Sequence, residues 1–131
     1  MKLSQSVAYA IHAALRLAQS RDASPISCNR LADQGKMPER FLLQILRDLA
    51  KQGILQSTRG GGGGFMLERP ADEISLLEVI EAVEGPLTAG VPLRATFPGS
   101  AGDRLHTVLR RVTDETRKQL QAVKLSDLLR G

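Results

Sequence analysis

Residues Met37 to Pro70 read MPERFLLQILRDLAKQGILQSTRGGGGGFMLERP, and the order of features within them decides the fold. Phe41, Leu42, Ile45, Leu46 and Leu49 recur at three- and four-residue spacing, so they are expected to form the buried side of a helix. Arg40, Leu43, Gln44, Arg47 and Lys51 fall in a wedge of roughly 100° on the opposite side. Gly53 ends this helix, and Ile54–Ser57 and Phe65–Leu67 are short enough to be a pair of strands. Between the strands stand Thr58, Arg59 and five consecutive glycines, Gly60 to Gly64.

Cations, a glutamine and a leucine on one wedge suit a major groove, where Arg reads guanine, Gln reads adenine and an apolar group meets a thymine methyl. Composition alone would favour a solvated Lys/Arg face. The strands that follow favour the groove. A glycine loop can approach another backbone closely, but ordering it carries a high entropic cost that a contact must offset. A DNA backbone against the glycines, with Arg59 in the minor groove, would supply that contact. A nucleotide-phosphate loop is excluded, because Phe65 and Met66 follow the last glycine where GxxxxGK[ST] needs Lys and Ser or Thr. A plain hairpin turn is the other alternative.

Working outward toward the N-terminus, Ile26–Ser27 opens a short helix through Gln34. Ser27 is its expected cap, Ile26 can staple to Leu31, and Gly35 closes it. Pro38 suits the first turn of the next helix, so two helices joined by a tight turn make a helix-turn-helix candidate. With the hairpin, the fold class is mainly α with a small β-hairpin wing, a winged helix-turn-helix. Before it, Leu3, Val7, Ile11, Ala14, Leu15 and Ala18 mark a packing helix capped by Ser4, with His12 at the edge of its polar side.

Working outward toward the C-terminus, Ile74-Ser75-Leu76-Leu77-Glu78 is a complete helix start. Ser75 and Glu78 make a capping box, and Ile74 can staple to Val79. That helix should stop near Val83, before Gly85-Pro86, and Leu87 to Gly102 reads as loop. From Asp103 a long helix carries Leu105, Val108, Leu109, Val112, Thr116, Leu120 and Val123 at a period of about 3.5 residues. A partner chain is the natural cover for so long a stripe, making this a dimerisation helix; packing back on its own domain is the alternative. The KLSDLL tail can add a last turn. The expected division is therefore a DNA-binding head over 1–84, a loop over 85–102, and a dimerisation helix with tail over 103–131.

Composition sets bounds on this. The chain has 131 residues, enough for one domain and a modest core, and a formal charge of +4 that fits a polyanionic partner. The absence of Trp, with one Tyr and three Phe, argues against a base-stacking platform for single strands. No apolar run approaches the ~20 residues of a membrane span, and the N-terminus lacks a signal-peptide block, so a cytoplasmic protein is expected. One cysteine, Cys28, excludes an intrachain disulfide and any four-thiolate metal site in one chain. Two distant histidines and that cysteine assemble no nucleophile, base and orienter, so no enzyme is expected.

STRGGGGGFMLERP is similar to the V-R-G-P-G-G-G-Y-x-L-x-R-P wing of the IscR/NsrR/CymR, or Rrf-two, family of bacterial winged-helix transcription regulators. EISLLEVIEAVEG is similar to the family's next helix, and MKLSQSVAYAIHAALRLA and VKLSDLL resemble its two ends, so the likeness covers nearly the whole chain. It implies a homodimer that crosses its long helices and sets two heads on a palindromic operator in double-stranded DNA, acting as a repressor. Arg40 and Gln44 would face the major groove, and Arg59 and the wing glycines the minor groove. The expected DNA-facing set is Ser27, Pro38, Glu39, Arg40, Leu43, Gln44, Arg47, Lys51, Thr58, Arg59, Gly60, Gly61, Gly62 and Gly63. A winged-helix module for protein–protein contact, with little specific DNA binding, is the alternative function.

The chain departs from the family pattern in three places. Many members hold an iron-sulfur cluster on three cysteines ahead of the long helix; Gly85 to His106 contains none, so no cluster is expected although His106 matches a family ligand position. Leu43 replaces an acidic residue common on the recognition helix, and Gly61 replaces the wing proline, which should loosen the wing. For sensing, Cys28 near a helix N-terminus is either a redox switch with a lowered thiol pKa or a buried inert thiol. Asp103 and His106, three apart, are too few for a metal site in one chain and read as a solvated helix start. Any small-molecule or redox effector is left unnamed.

Overall fold

The computed structural model describes residues 1–20, 24–59, 63–89 and 99–130. The chain forms α1 (Gln5–Ala18), α2 (Cys28–Gly35), α3 (Glu39–Lys51), β1 (Leu55–Thr58), β2 (Gly64–Leu67), a 3-10 turn (Ala71–Glu73), α4 (Leu76–Glu84), α5 (Ser100–Ala122) and α6 (Leu125–Leu129). Helix α1 lies at the centre, against α2, α3, α4, α6 and β2. Ala10, Ala13 and Ala14 on its inner face are fully buried, and such small side chains let neighbouring helices approach closely. Ser4 caps α1 as expected, its hydroxyl accepting the Val7 N–H at 3.2 Å.

The core is aliphatic: Leu31, Leu42, Leu46, Leu49, Ile54, Leu55, Ile74 and Leu125 are sealed from solvent. Phe41, expected among the buried residues, is 44% exposed. Its ring forms a T-shaped pair with that of Tyr9 on α1, centroids 5.8 Å apart at 77°. Leu43, expected on the outer wedge, is half-buried against the core.

The turn between α2 and α3 differs from expectation in which residue bends. Gly35 is the last residue of α2, and Lys36 takes the left-handed conformation at φ 52°. Gly35 is instead a point of close packing: a Cβ there would sit 2.5 Å from Met37 Cε and 2.8 Å from His12 Nε2, so both side-chain ends would have to shift. His12 is a boundary residue whose Nε2 accepts from Arg16 Nε at 3.3 Å. Burial, then the Arg16 charge, lowers its pKa. Pro38 is the N-cap of α3, one position before the expected first turn.

Strands β1 and β2 pair antiparallel, Leu55 opposite Leu67 and Thr58 opposite Gly64. They begin one residue later and one earlier, respectively, than the sequence suggested. Ile26 adds a one-residue third strand, exchanging two hydrogen bonds of 2.9 Å with Phe65. This clamp ties the hairpin to the entrance of α2, and it leaves no room at Gly64, where a Cβ would lie 2.5 Å from the Ile26 carbonyl.

The capping box of α4 is present, with the Ser75 hydroxyl accepting the Glu78 N–H at 3.1 Å and Glu78 Oε2 accepting the Ser75 N–H at 2.9 Å. Residues 90–98, most of the expected loop, lie outside the described residues. Helix α5 starts at Ser100, three residues before the expected Asp103, after Gly99 turns the chain at φ 87°. The tail forms α6, and it is no mere extra turn: Leu125 is fully buried, and its N–H donates to Ile74 O at 3.0 Å. Among the described residues no helix is long and apolar enough to cross a membrane.

Candidate nucleic-acid interface

The outer face of α3 is built by the same periodicity that buries Leu42, Ile45, Leu46 and Leu49. Arg40, Gln44, Arg47 and Lys51 are all exposed on it, and Arg59 is exposed at the end of β1. Among the described residues none of these four cations is in an ion pair with an acidic side chain. A row of solvated cations beside a hairpin is free to meet an anionic partner without first breaking internal pairs. Gln44 Nε2 donates to Asp48 Oδ1 at 3.1 Å, one turn along, which holds the amide on the helix surface.

Several expected contact residues already have structural duties. The Ser27 hydroxyl caps α2, accepting the Arg30 N–H at 3.1 Å. The Glu39 carboxylate accepts from Asn29 Nδ2 at 3.1 Å, which ties the start of α3 to α2. The Thr58 hydroxyl accepts the Gly64 N–H at 3.0 Å and donates to Gly64 O at 3.3 Å, closing the hairpin just below its tip. Gly60, Gly61 and Gly62 lie outside the described residues; Gly63 is half-exposed.

Asn29 and the Ile26–Phe65 clamp set the placement of α3 against the hairpin, and the sequence reading missed both. They join residues far apart in the chain, so no local period announces them. The run of glycines was a signal for close backbone approach, but at Gly64 the neighbour is Ile26 of the same chain. Behind the hairpin, Arg69 braces β2 to α4, donating to Gly53 O, Glu73 O and Glu78 Oε1 at 3.4, 3.1 and 2.7 Å. Burial alone would raise the Glu78 pKa, but the Ser75 N–H and Arg69 outweigh it and hold the carboxyl below its ordinary value.

The Cys28 thiol is half-buried, its Sγ 3.5 Å from Glu39 O. Burial and the Glu39 carboxylate raise its pKa against the opposing pull of Arg47, the direction opposite to the lowering that a redox switch at a helix terminus would need. On α5 the expected stripe divides. Leu105, Val108, Leu109 and Val112 are exposed, whereas Thr116, Leu120 and Val123 are half-buried toward the chain's own domain. His106 is half-buried, with Nδ1 lacking a hydrogen-bond partner among the described residues.

This is the anatomy of a winged helix-turn-helix with a long C-terminal helix, the fold class read from the sequence. The chain belongs to the Rrf2 family, described as iron-dependent transcriptional regulators, whose model matches residues 3–131. It is 34% identical over 89 residues to an HTH-type transcriptional regulator of Mycobacterium tuberculosis, covering 68% of this chain and 55% of that protein. The chain thus spans about half the length of that relative. It is 27% identical to the HTH-type regulator CymR of Bacillus subtilis, over 98% of this chain and 89% of CymR. The solved structure of that CymR, described as the global cysteine regulator, matches with a TM-score of 0.81 over 98% of this chain and 95% of the other, at 26% identity. The structure of an IscR from T. potens matches with a TM-score of 0.77 at 28% identity, over 98% and 86%. The family is one of transcription regulators, not enzymes.

The donor set of this chain does not fit an iron-sulfur cluster. Such clusters are held chiefly by cysteine thiolates, and the one cysteine sits at the start of α2 while His106 is on α5. Among the described residues no three His, Cys, Asp or Glu side chains are grouped to hold a metal ion.

Proposed function

We propose that the protein is a sequence-specific regulator of transcription, acting as a homodimeric repressor on a palindromic operator in double-stranded DNA without an iron-sulfur cluster. The observation that carries this is the exposed row Arg40, Arg47 and Lys51 around Gln44 on α3, with Arg59 at the end of β1, none of these cations ion-paired among the described residues. In this reading α3 enters the major groove, with Arg40 and Gln44 at base edges and Arg47 and Lys51 at phosphates. The hairpin tip, Arg59 to Gly63, follows the backbone into the minor groove. Ser27, Pro38, Glu39 and Thr58 hold the two elements in register at the DNA surface, and Leu43 sits at the edge of the contact. The exposed Leu105, Val108, Leu109 and Val112 pair with their counterparts on a second α5.

The test is selection of bound sites from random DNA, repeated with oxidant. A palindrome should emerge, Arg59→Ala and Gln44→Ala should each weaken its binding, and oxidant should leave it unchanged, because the half-buried Cys28 thiol with its raised pKa is a poor source of thiolate. Equal binding by both variants would refute the DNA-reading assignment. A visible iron-sulfur absorption band in anaerobically purified protein would refute the cluster-free assignment.

A further inference from the structure

Among the described residues, side-chain and backbone hydrogen bonds fasten helix α5 to the head at two places, a short distance apart along its length. At its C-terminal end the chain is stitched to the start of α4 by Leu76 N–H donating to Val123 O at 2.8 Å and Leu125 N–H donating to Ile74 O at 3.0 Å. The second fastening is Arg117, whose guanidinium is paired with Glu81 Oε2 on α4 and also donates to Leu87 O at 3.3 Å. The same Glu81 oxygen accepts the Leu87 N–H at 2.7 Å, so one carboxylate joins α4, α5 and the segment after Gly85. The Glu81 side chain is 22% exposed and that of Arg117 36%. Beyond Arg117 toward Ser100 the only buried residue is Gly102, and the apolar side chains of this stretch face solvent.

Two fastenings define a direction. We propose that the Glu81–Arg117 pair is a positioning device that sets the angle of α5 to the DNA-reading head, and so selects the spacing between operator half-sites. The proposal rests on the dimeric DNA-binding reading above. Leu105 stands about 18 Å along α5 from Arg117 at the standard helical rise. A swing of about 10° at Arg117 therefore moves the dimer contact by about 3 Å, close to the ~3.4 Å rise of one base pair. One base pair more or less between half-sites also turns the second head by about 35° around the duplex. The angle held by this pair thus has a direct readout in the spacer length the dimer accepts.

The experiment uses the full chain and a set of palindromes whose spacer differs from the selected optimum by one or two base pairs. Arg117→Met removes the ion pair, Glu81→Gln keeps the shape while weakening it, and Arg117→Lys restores the charge. Both disrupting variants should lose discrimination between spacers by about threefold, the scale of a half-exposed ion pair, with Arg117→Lys recovering part of it. Affinity for a single half-site and the dimer seen by sedimentation should stay as in wild type. Unchanged spacer discrimination in both variants would overturn the proposal. So would a parallel loss of half-site affinity, or failure of both to fold, since the pair would then serve the head itself. A wild-type protein with no dimer or no preference for palindromes would instead bring down the dimeric reading, and this inference with it.

Discussion

Gly64→Ala places one methyl group where the wing is clamped to the helix-turn-helix. Its Cβ would lie 2.5 Å from both C and O of Ile26 and 2.8 Å from Ser27 N. Ordinary contact begins at about 3.5 Å, so the backbones must part by about 1 Å, and no side-chain rotation can relieve the clash. The neighbouring Ile26–Phe65 hydrogen bonds, 2.9 Å each, would then open past hydrogen-bonding range. Two net hydrogen bonds at ~1 kcal/mol each, with strain of similar size, give a loss of about 2–4 kcal/mol. In urea this corresponds to a midpoint lowered by roughly 1–2 M at unchanged slope. Arg59→Ala, at an exposed position of the same wing, should stay within about 0.5 kcal/mol of wild type. A Gly64→Ala midpoint within about 0.3 M of wild type would refute the idea that this clamp holds the wing in place.

Other expectations follow from the same contacts. Leu125→Ala, in a tail that is fully buried, should destabilise the whole domain by about 2–5 kcal/mol in thermal or urea unfolding. Glu78→Gln, which can still accept the Ser75 N–H but loses the charge paired with Arg69, should cost about 1 kcal/mol or less at neutral pH. Because the folded Glu78 pKa is lowered, its stabilisation is present above the ordinary value of 4.5 and is lost as the pH falls through the lowered one. Unfolding measured across acid pH should therefore fall less steeply in Glu78→Gln than in wild type. Lys36→Gly, at φ 52°, should raise stability by up to about 1 kcal/mol, since the left-handed conformation no longer strains a side chain.

Features written in local spacing were legible from the sequence. The α3 core residues Leu42, Ile45, Leu46 and Leu49, the Ser75–Glu78 box and the caps at Ser4 and Ser27 all depend on residues three or four apart. Phe41 is exposed although the helical wheel puts it on the inner side, because a wheel gives a direction but not which neighbours cover it. Gly35 was expected to make the turn that Lys36 makes, and the crowding of Gly35 by Met37 and by His12 of another helix has no mark in local spacing. The early start of α5 was hidden because Ser100, Ala101 and Gly102 carry no apolar period to mark it. What fixes the interface itself, the Ile26–Phe65 clamp, the Asn29–Glu39 bond and the Glu81–Arg117 pair, spans long stretches of chain and leaves no periodic trace.

The central claim is that two heads of one dimer read DNA through α3 and the wing. Its most direct test is binding to the selected palindrome and to a single half-site over a salt series, followed by fluorescence anisotropy. Each phosphate neutralised contributes about −0.9 to the slope of log affinity against log salt, so Arg47, Lys51 and Arg59 from two heads should give a slope of about −5. The palindrome should bind at least about a hundredfold more tightly than the half-site, as expected when the second head binds from the same dimer. A slope near zero, or equal affinity for palindrome and half-site, would contradict the account.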